Sequence, residues 1–127
     1  MSYLDLILRL ERLTALWRLV FWIGATTVTV LSLLPQSALP PLPDINDKIE
    51  HASAYLALAL VAGPAWPRLA DHARTAIALI LLGGAIEIAQ LWVPGRSAEW
   101  GDFAADTIGV VLGVAVFRLG ARRRARR

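Results

Sequence analysis

Residues 19–34 carry no charged side chain, and the run stops at Pro35. With Trp17 and Arg18 in front, it reaches the roughly 20 residues that a helix needs to cross a bilayer. A soluble bundle would need a polar stripe on every helix, and this segment has none. Its basic start also fits a secretory signal. The apolar run is long for one, however, and Pro35 and Gln36 stand where a small-x-small cleavage site would have to be. The segment is therefore expected to stay in the protein as a membrane span.

Three more apolar segments follow. Residues 49–66 end at Pro64 and Pro67, residues 75–93 at Pro94 and Gly95, and residues 103–119 at Gly120. The third and fourth are slightly short, and each carries an acid, Glu87 and Asp106. Such segments make poor isolated spans and good members of a bundle whose interior receives the acid. The expected fold is all-α, a polytopic membrane helical bundle with about four transmembrane helices. Its parts are an amphipathic amino-terminal segment (1–16), a four-helix membrane domain (17–119) and a basic tail (120–127). Leu6, Leu10 and Leu13 set against Arg9, Glu11 and Arg12 give the first part its two faces, although it can equally extend the first span inward.

Composition agrees. Hydrophobic residues make up 57% of the 127 and charged residues 18%, a balance that a water-soluble domain of this size would struggle to bury. There is no cysteine, which excludes disulfides, thiolate chemistry and Cys-type zinc sites. The tail holds Arg122, Arg123, Arg124, Arg126 and Arg127 with no aromatic residue between them. It therefore reads as a cytoplasmic anchor rather than a nucleic-acid arm. Arg9, Arg12 and Arg18, then Arg68 and Arg74, then Arg118 and the tail fall on one side of an even number of spans. The positive-inside rule puts both termini in the cytoplasm of a bacterial inner membrane. The loops 35–48 and 94–102 then face outward, with Trp17 and Trp66 at the inner interface and Trp92 and Trp100 at the outer. Asp71 and His72 fall in the inner loop, where solvation is expected.

The polar residues of the spans share a depth. Asp47, His51 and Tyr55 are spaced i, i+4, i+8 on one helix face, Glu87 and Gln90 i, i+3 on another. Asp102, Asp106, Gly109 and Gly113 line one face of the last helix. At 1.5 Å per residue, His51 lies roughly 6 Å in from Asp47, Asp106 roughly 6 Å in from Asp102, and Glu87 about 9 Å in from Val93. Arg96 occupies the turn between the last two spans. Gly109 and Gly113 form a Gly-x-x-x-Gly pattern, which serves close helix packing. Asp47 also suits a helix N-cap, and Arg96 a loop clamp on Glu99 or Asp102. Glu87 and Asp106 need a partner or a proton at that depth.

Asp47-Lys48-x-x-His51-x-x-x-Tyr55, Glu87-x-x-Gln90, Pro94-Gly95-Arg96 and Asp102-x-x-x-Asp106-x-x-Gly109 together resemble the VanZ-like family. These are small bacterial membrane proteins named for an accessory protein of teicoplanin resistance. The resemblance runs from about residue 33 to residue 113. It departs at Asp106, where the family pattern usually has Asn. It implies a multi-pass membrane protein of the cell envelope in an antibiotic resistance-related family, and it supplies no reaction.

Several functions fit these residues. The leading expectation is an outward-facing site that binds or processes an envelope lipid or peptidoglycan-related amphiphile. Lys48 and Arg96 would hold its anionic headgroup, with Asp47, Tyr55, Gln90 and Asp102 as further ligand-binding groups. His51, Glu87 and Asp106 would be the acid and base if a reaction is catalysed. No cofactor is required. A divalent metal on His51 and several of the acids, with Asp47 and His51 at i, i+4 able to share it, is an alternative, with water activation as its chemistry. Proton or ion handling by buried acids beside a histidine is another, though the inner half of the spans is apolar. A purely structural or assembly role is the last. The expected partners are the lipid bilayer and an anionic lipid or cell-wall precursor, with no nucleic acid; protein partners are not readable.

Overall fold

The structure, a computed structural model, describes residues 3–39 and 47–126. The middle of the 35–48 connection, the position before Asp47 where an N-cap would sit, and Arg127 lie outside the described residues. Four α-helices make up the chain: α1 (Tyr3–Leu33), α2 (Asp47–Ala65), α3 (Leu69–Gln90) and α4 (Trp100–Ala125), with a 3₁₀ turn at Gln36–Ala38.

Proline sets two of the ends. The residue before a proline is pushed out of the helical region, so α1 stops ahead of Leu34-Pro35. Pro67 closes α2 in the same way, and α3 starts two residues later. Between α3 and α4 the chain reverses through Val93-Pro94-Gly95-Arg96. The Arg96 N–H donates to the Val93 carbonyl at 3.1 Å, and Gly95 has φ +76°. Proline followed by a positive-φ glycine is the pairing that a type II turn demands.

Three helices are long and apolar enough to cross a membrane: α1, α3 and α4. The expectation of about four spans thus meets four helices, of which α2 is the shorter and more polar. Asp47, Lys48, Glu50 and His51 fill its first turns, leaving roughly 21 Å of apolar helix beyond them. α1 is one continuous helix of 31 residues, roughly 46 Å long against a hydrocarbon core of about 30 Å. The amino-terminal segment therefore extends the first span rather than forming a separate surface helix. Gly120 does not end α4, which runs on to Ala125. Ala and Arg are good helix formers, and arginines in a last turn face the negative end of the helix dipole.

The bundle has an apolar core with a cluster of polar side chains beside it, and an apolar outer surface. The core joins Phe21 and Ala25 of α1, Tyr55, Leu58, Ala59 and Ala62 of α2, Leu79 of α3 and Val110 of α4. Beside it lie buried Glu87, Gln90, Asp102, Asp106 and His72. Trp22, Ile23, Ile77, Leu81, Ile108, Val111 and Val116 face outward. A water-soluble protein seldom shows so continuous an apolar surface, whereas hydrocarbon solvates it without cost. Among the described residues, α1 packs against α2 and α3, and its backbone does not come close to that of α4.

Small residues bring α2 and α4 together. A Cβ on Gly109 would run into the Ala52 carbonyl oxygen, and one on Gly113 would lie 2.6 Å from the Ala59 Cβ and 2.7 Å from the Leu56 oxygen. The two backbones are thus in contact over two turns, as the Gly-x-x-x-Gly spacing predicts.

His72 departs from expectation. It is buried, 8% exposed, with its ring edge-on to Phe117 at 5.2 Å. Asp71 accepts from Arg74 at 3.3 Å in the first turn of the same helix. Because α3 starts at Leu69, His72 is already one turn inside the helix and faces α4.

Two arginines finish helices that are distant in sequence. The Arg18 Nε donates to the Ala65 carbonyl at 3.1 Å, at the end of α2, with its guanidinium 6.0 Å from the Trp66 ring centre. Arg96 donates from Nε to the Leu34 carbonyl at 3.1 Å and from Nη2 to the Leu31 carbonyl at 3.0 Å. Gln90 Nε2 donates to the Ser32 carbonyl at 3.0 Å. The last carbonyls of α1 have no partner within the helix, and these side chains supply one. Arg96→Ala should lower stability by about 1–3 kcal/mol, and Arg96→Lys should recover only part, because an ammonium lacks the forked geometry. Thermal unfolding in detergent measures both; an unchanged midpoint in Arg96→Ala would count against the capping role.

Candidate functional site

The close approach at Gly109 and Gly113 determines what stands one turn above it. Asp106 on α4 meets His51 on α2, with Nδ1 and Oδ1 2.9 Å apart. The His51 side chain is 14% exposed and that of Asp106 2%. One turn further, Asp102 accepts from Lys48 Nζ at 3.2 Å, and Lys48 also reaches Glu99 at 3.2 Å. The hydrogen bonds that Lys48 donates, first to Asp102 and then to Glu99, raise the pKa of its ammonium. Tyr55, one turn below His51, points its hydroxyl into the interior, where it has no hydrogen-bond partner among the described residues. Gly83 of α3 makes room here: a Cβ on it would lie 2.9 Å from Asp106 Oδ2 and 3.3 Å from the Tyr55 hydroxyl.

From α3, Glu87 accepts through Oε2 from the backbone N–H of Glu99 at 2.9 Å. Its Oε1 is buried and has no hydrogen-bond partner among the described residues, as is the case for Oε1 of Gln90. Two triads of donor atoms fall within 4.8 Å of one another, Asp47, His51 and Asp102 in one and His51, Glu87 and Asp106 in the other. Either has the residue types to hold a cation.

Two openings meet at this cluster. A polar cavity of about 90 Å³ is lined by Gln36, Asp47, His51, Gln90, Arg96 and Asp102, with Ser97 and Glu99 at its rim. Beside it, an apolar groove of about 380 Å³ runs between α3 and α4 along Gly84, Ile88, Leu91, Ala98, Trp100 and Phe103. Glu99 borders both, and Glu87 forms part of the groove wall.

All the residues singled out from the sequence stand at this one end of the bundle, although in unequal positions. Asp47 is exposed and in the first turn of α2. His51, Tyr55, Glu87, Gln90, Asp102 and Asp106 are buried or half-buried. Arg96 lines the cavity while its guanidinium is bound to α1 carbonyls; the acids once considered for it, Glu99 and Asp102, pair with Lys48 instead. Glu99, Gly83 and Gln36 were missed as site residues. Gly83 had a usable signal, four residues before Glu87. Gln36 had none, because only the folding of α1 against the 93–96 turn brings it there: its Cβ would lie 3.3 Å from a Cβ placed on Gly95.

No curated protein and no solved structure matches the chain. The model of one family, VanZ/LLP1, matches residues 6–121. That span takes in all four helices and every residue of the polar cluster, and the chain belongs to the VanZ/LLP1 family.

Proposed function

We propose that this membrane protein binds, and presents for processing, the headgroup of an anionic envelope amphiphile, either a lipid or a peptidoglycan-related precursor. One observation carries the reading: a polar cavity and an apolar groove share the Glu99 wall. A molecule with a polar head and a long chain suits that pair of surfaces, and a purely polar ligand does not. The groove opens among exposed Ile88, Leu91 and Trp100, on the surface that hydrocarbon would cover, so the chain could enter sideways from the bilayer. The basic residues at the opposite end of the spans support a bacterial inner-membrane orientation with both termini cytoplasmic and this site outward.

A structural reading has its own support. Arg96 and Gln90 bind α1 carbonyls, and Lys48 ties α2 to α4, so much of the cluster also locks helices together. Native mass spectrometry of protein extracted in mild detergent separates the two. Wild type should carry a defined lipid. Ala98→Phe, which fills the groove from an exposed position, should reduce that adduct by about tenfold, near 1.4 kcal/mol, at unchanged unfolding temperature. A wild type free of any specific adduct would leave the structural reading in possession.

A further inference from the structure

The charge around the cavity poses a problem for an anionic headgroup. Three carboxylates line it, Asp47, Glu99 and Asp102, and two more, Glu87 and Asp106, have donor atoms within 4.8 Å of the His51 ring that also lines it. The cations are already engaged. Lys48 is held by Asp102 and Glu99, and Arg96 by the α1 carbonyls. A bare phosphate or carboxylate would meet net negative charge, which favours a cation there instead.

We propose that His51, Glu87 and Asp106 bind a divalent metal ion, and that this ion is what receives the anionic headgroup. The ion site stands on its own observations; its role toward a headgroup rests on the function proposed above. The first observation is geometric. The donor atoms of the three residues lie within 4.8 Å of one another, and His51 Nδ1 and Asp106 Oδ1 are 2.9 Å apart. Two donors about 2.1 Å from a shared ion stand about 3.0–3.4 Å apart in octahedral or tetrahedral geometry, so the His51–Asp106 pair is already at ligand spacing and Glu87 is the ligand that would close in. The second is an orphan group. Glu87, a member of this triad, is 6% exposed, and its Oε1 has no hydrogen-bond partner among the described residues. Two buried carboxylates share a single imidazole here, an arrangement short of positive charge that an ion would neutralise.

The other triad is a poorer site. Its Asp102 is bound to Lys48 at 3.2 Å, and an ammonium beside a cation is repulsive. One imidazole and two carboxylates form a mixed borderline and hard donor set, suited to Zn²⁺ or Mn²⁺. Three protein ligands leave positions open for water or for a headgroup oxygen.

The test uses the full chain in detergent, stripped with EDTA, desalted, and titrated with Zn²⁺ or Mn²⁺. Bound metal is read by elemental analysis, and Mn²⁺ also by electron paramagnetic resonance. Wild type should retain one of these ions stoichiometrically. Glu87→Gln should weaken binding by more than about 10-fold. Asp106→Asn, which keeps an oxygen donor and the shape but loses the charge, should weaken it by about 10-fold. Asp47→Asn should bind like wild type. No stoichiometric ion on wild type overturns the site, and that arm does not depend on whether any variant folds. Unchanged affinity in both Glu87→Gln and Asp106→Asn, or loss in Asp47→Asn alone, overturns the assignment of ligands. Lipid retention is followed in the same stripped and reloaded samples. Lipid retained equally with and without ion overturns the headgroup role of the metal while sparing the amphiphile reading. Metal bound with no lipid in either state removes the amphiphile reading, and the headgroup role with it, and leaves the ion site standing.

Discussion

Gly109→Leu is expected to prevent α2 and α4 from closing on each other. Even a methyl group at this position would run into the Ala52 carbonyl oxygen and lie 3.0 Å from the Leu56 nitrogen. These are backbone atoms inside a helix, and they cannot turn aside as a side chain can. Overpacking against movable side chains costs about 1–3 kcal/mol; here the whole helix must retreat, so the expected loss is above about 3 kcal/mol. Retreat would also separate His51 from Asp106, because the same contact holds both at 2.9 Å. Thermal unfolding in detergent, followed by circular dichroism, measures the loss. Gly120→Leu is the control: nothing stands within 4 Å of its Cβ position, and its effect should stay within about 0.5 kcal/mol. Equal melting of wild type and Gly109→Leu would show that the two helices do not pack at this register.

His51→Ala and Asp106→Ala should each destabilise by about 3 kcal/mol or more, while the double variant loses clearly less than their sum. Asp106 is 1% exposed, and His51 is its only hydrogen-bond partner among the described residues. Removing one member of a buried pair strands the other, at a cost of about 3–5 kcal/mol. Removing both strands nothing, so the cycle should give a coupling of about 1–3 kcal/mol. Asp106→Asn is expected to keep most of the stability, because an amide can still bond the ring nitrogen. Chemical denaturation of the four proteins in one detergent gives the cycle; strictly additive losses would mean that the 2.9 Å contact contributes little.

The residues that follow a short repeat were the legible ones. Asp47, His51 and Tyr55 lie one helical turn apart, as do Asp102 and Asp106, and Gly109 follows within the next turn. Periodicity alone therefore put each set on one face of its helix. Pro35 and Pro67 announced their helix ends through local sterics. What sequence spacing could not reach was any pairing across the bundle. Arg96 reads from the sequence either as a cation for an anionic headgroup or as a loop clamp on Glu99 or Asp102, its acidic neighbours along the chain. Its actual partners are carbonyls of Leu31 and Leu34, and a backbone acceptor leaves no mark on the sequence. His72 was misread for a related reason. The polar group Asp71, His72 and Arg74 resembles a loop, yet the short connection after Pro67 forces helix to begin at Leu69, and packing against Phe117 then buries the ring. The amino-terminal segment posed the opposite ambiguity. Leu and Arg alternate there in a way that fits either a surface helix or an extended span, and no stop signal separates it from residues 19–34.

The side chains that complete α1 arrive late in synthesis. Leu31, Ser32 and Leu34 leave the ribosome long before Gln90 and Arg96, the residues that bind their carbonyls. At about 5–20 residues per second, the interval is several seconds. During that time the end of α1 must be satisfied by water or lipid headgroups, so its depth in the bilayer stays adjustable. The 93–96 turn then docks and makes the position permanent. Nascent chains arrested before residue 90 should therefore show the 31–34 stretch accessible to water-soluble labels, and full-length chains should show it protected. In this protein α1 is made well before the residues that finish it.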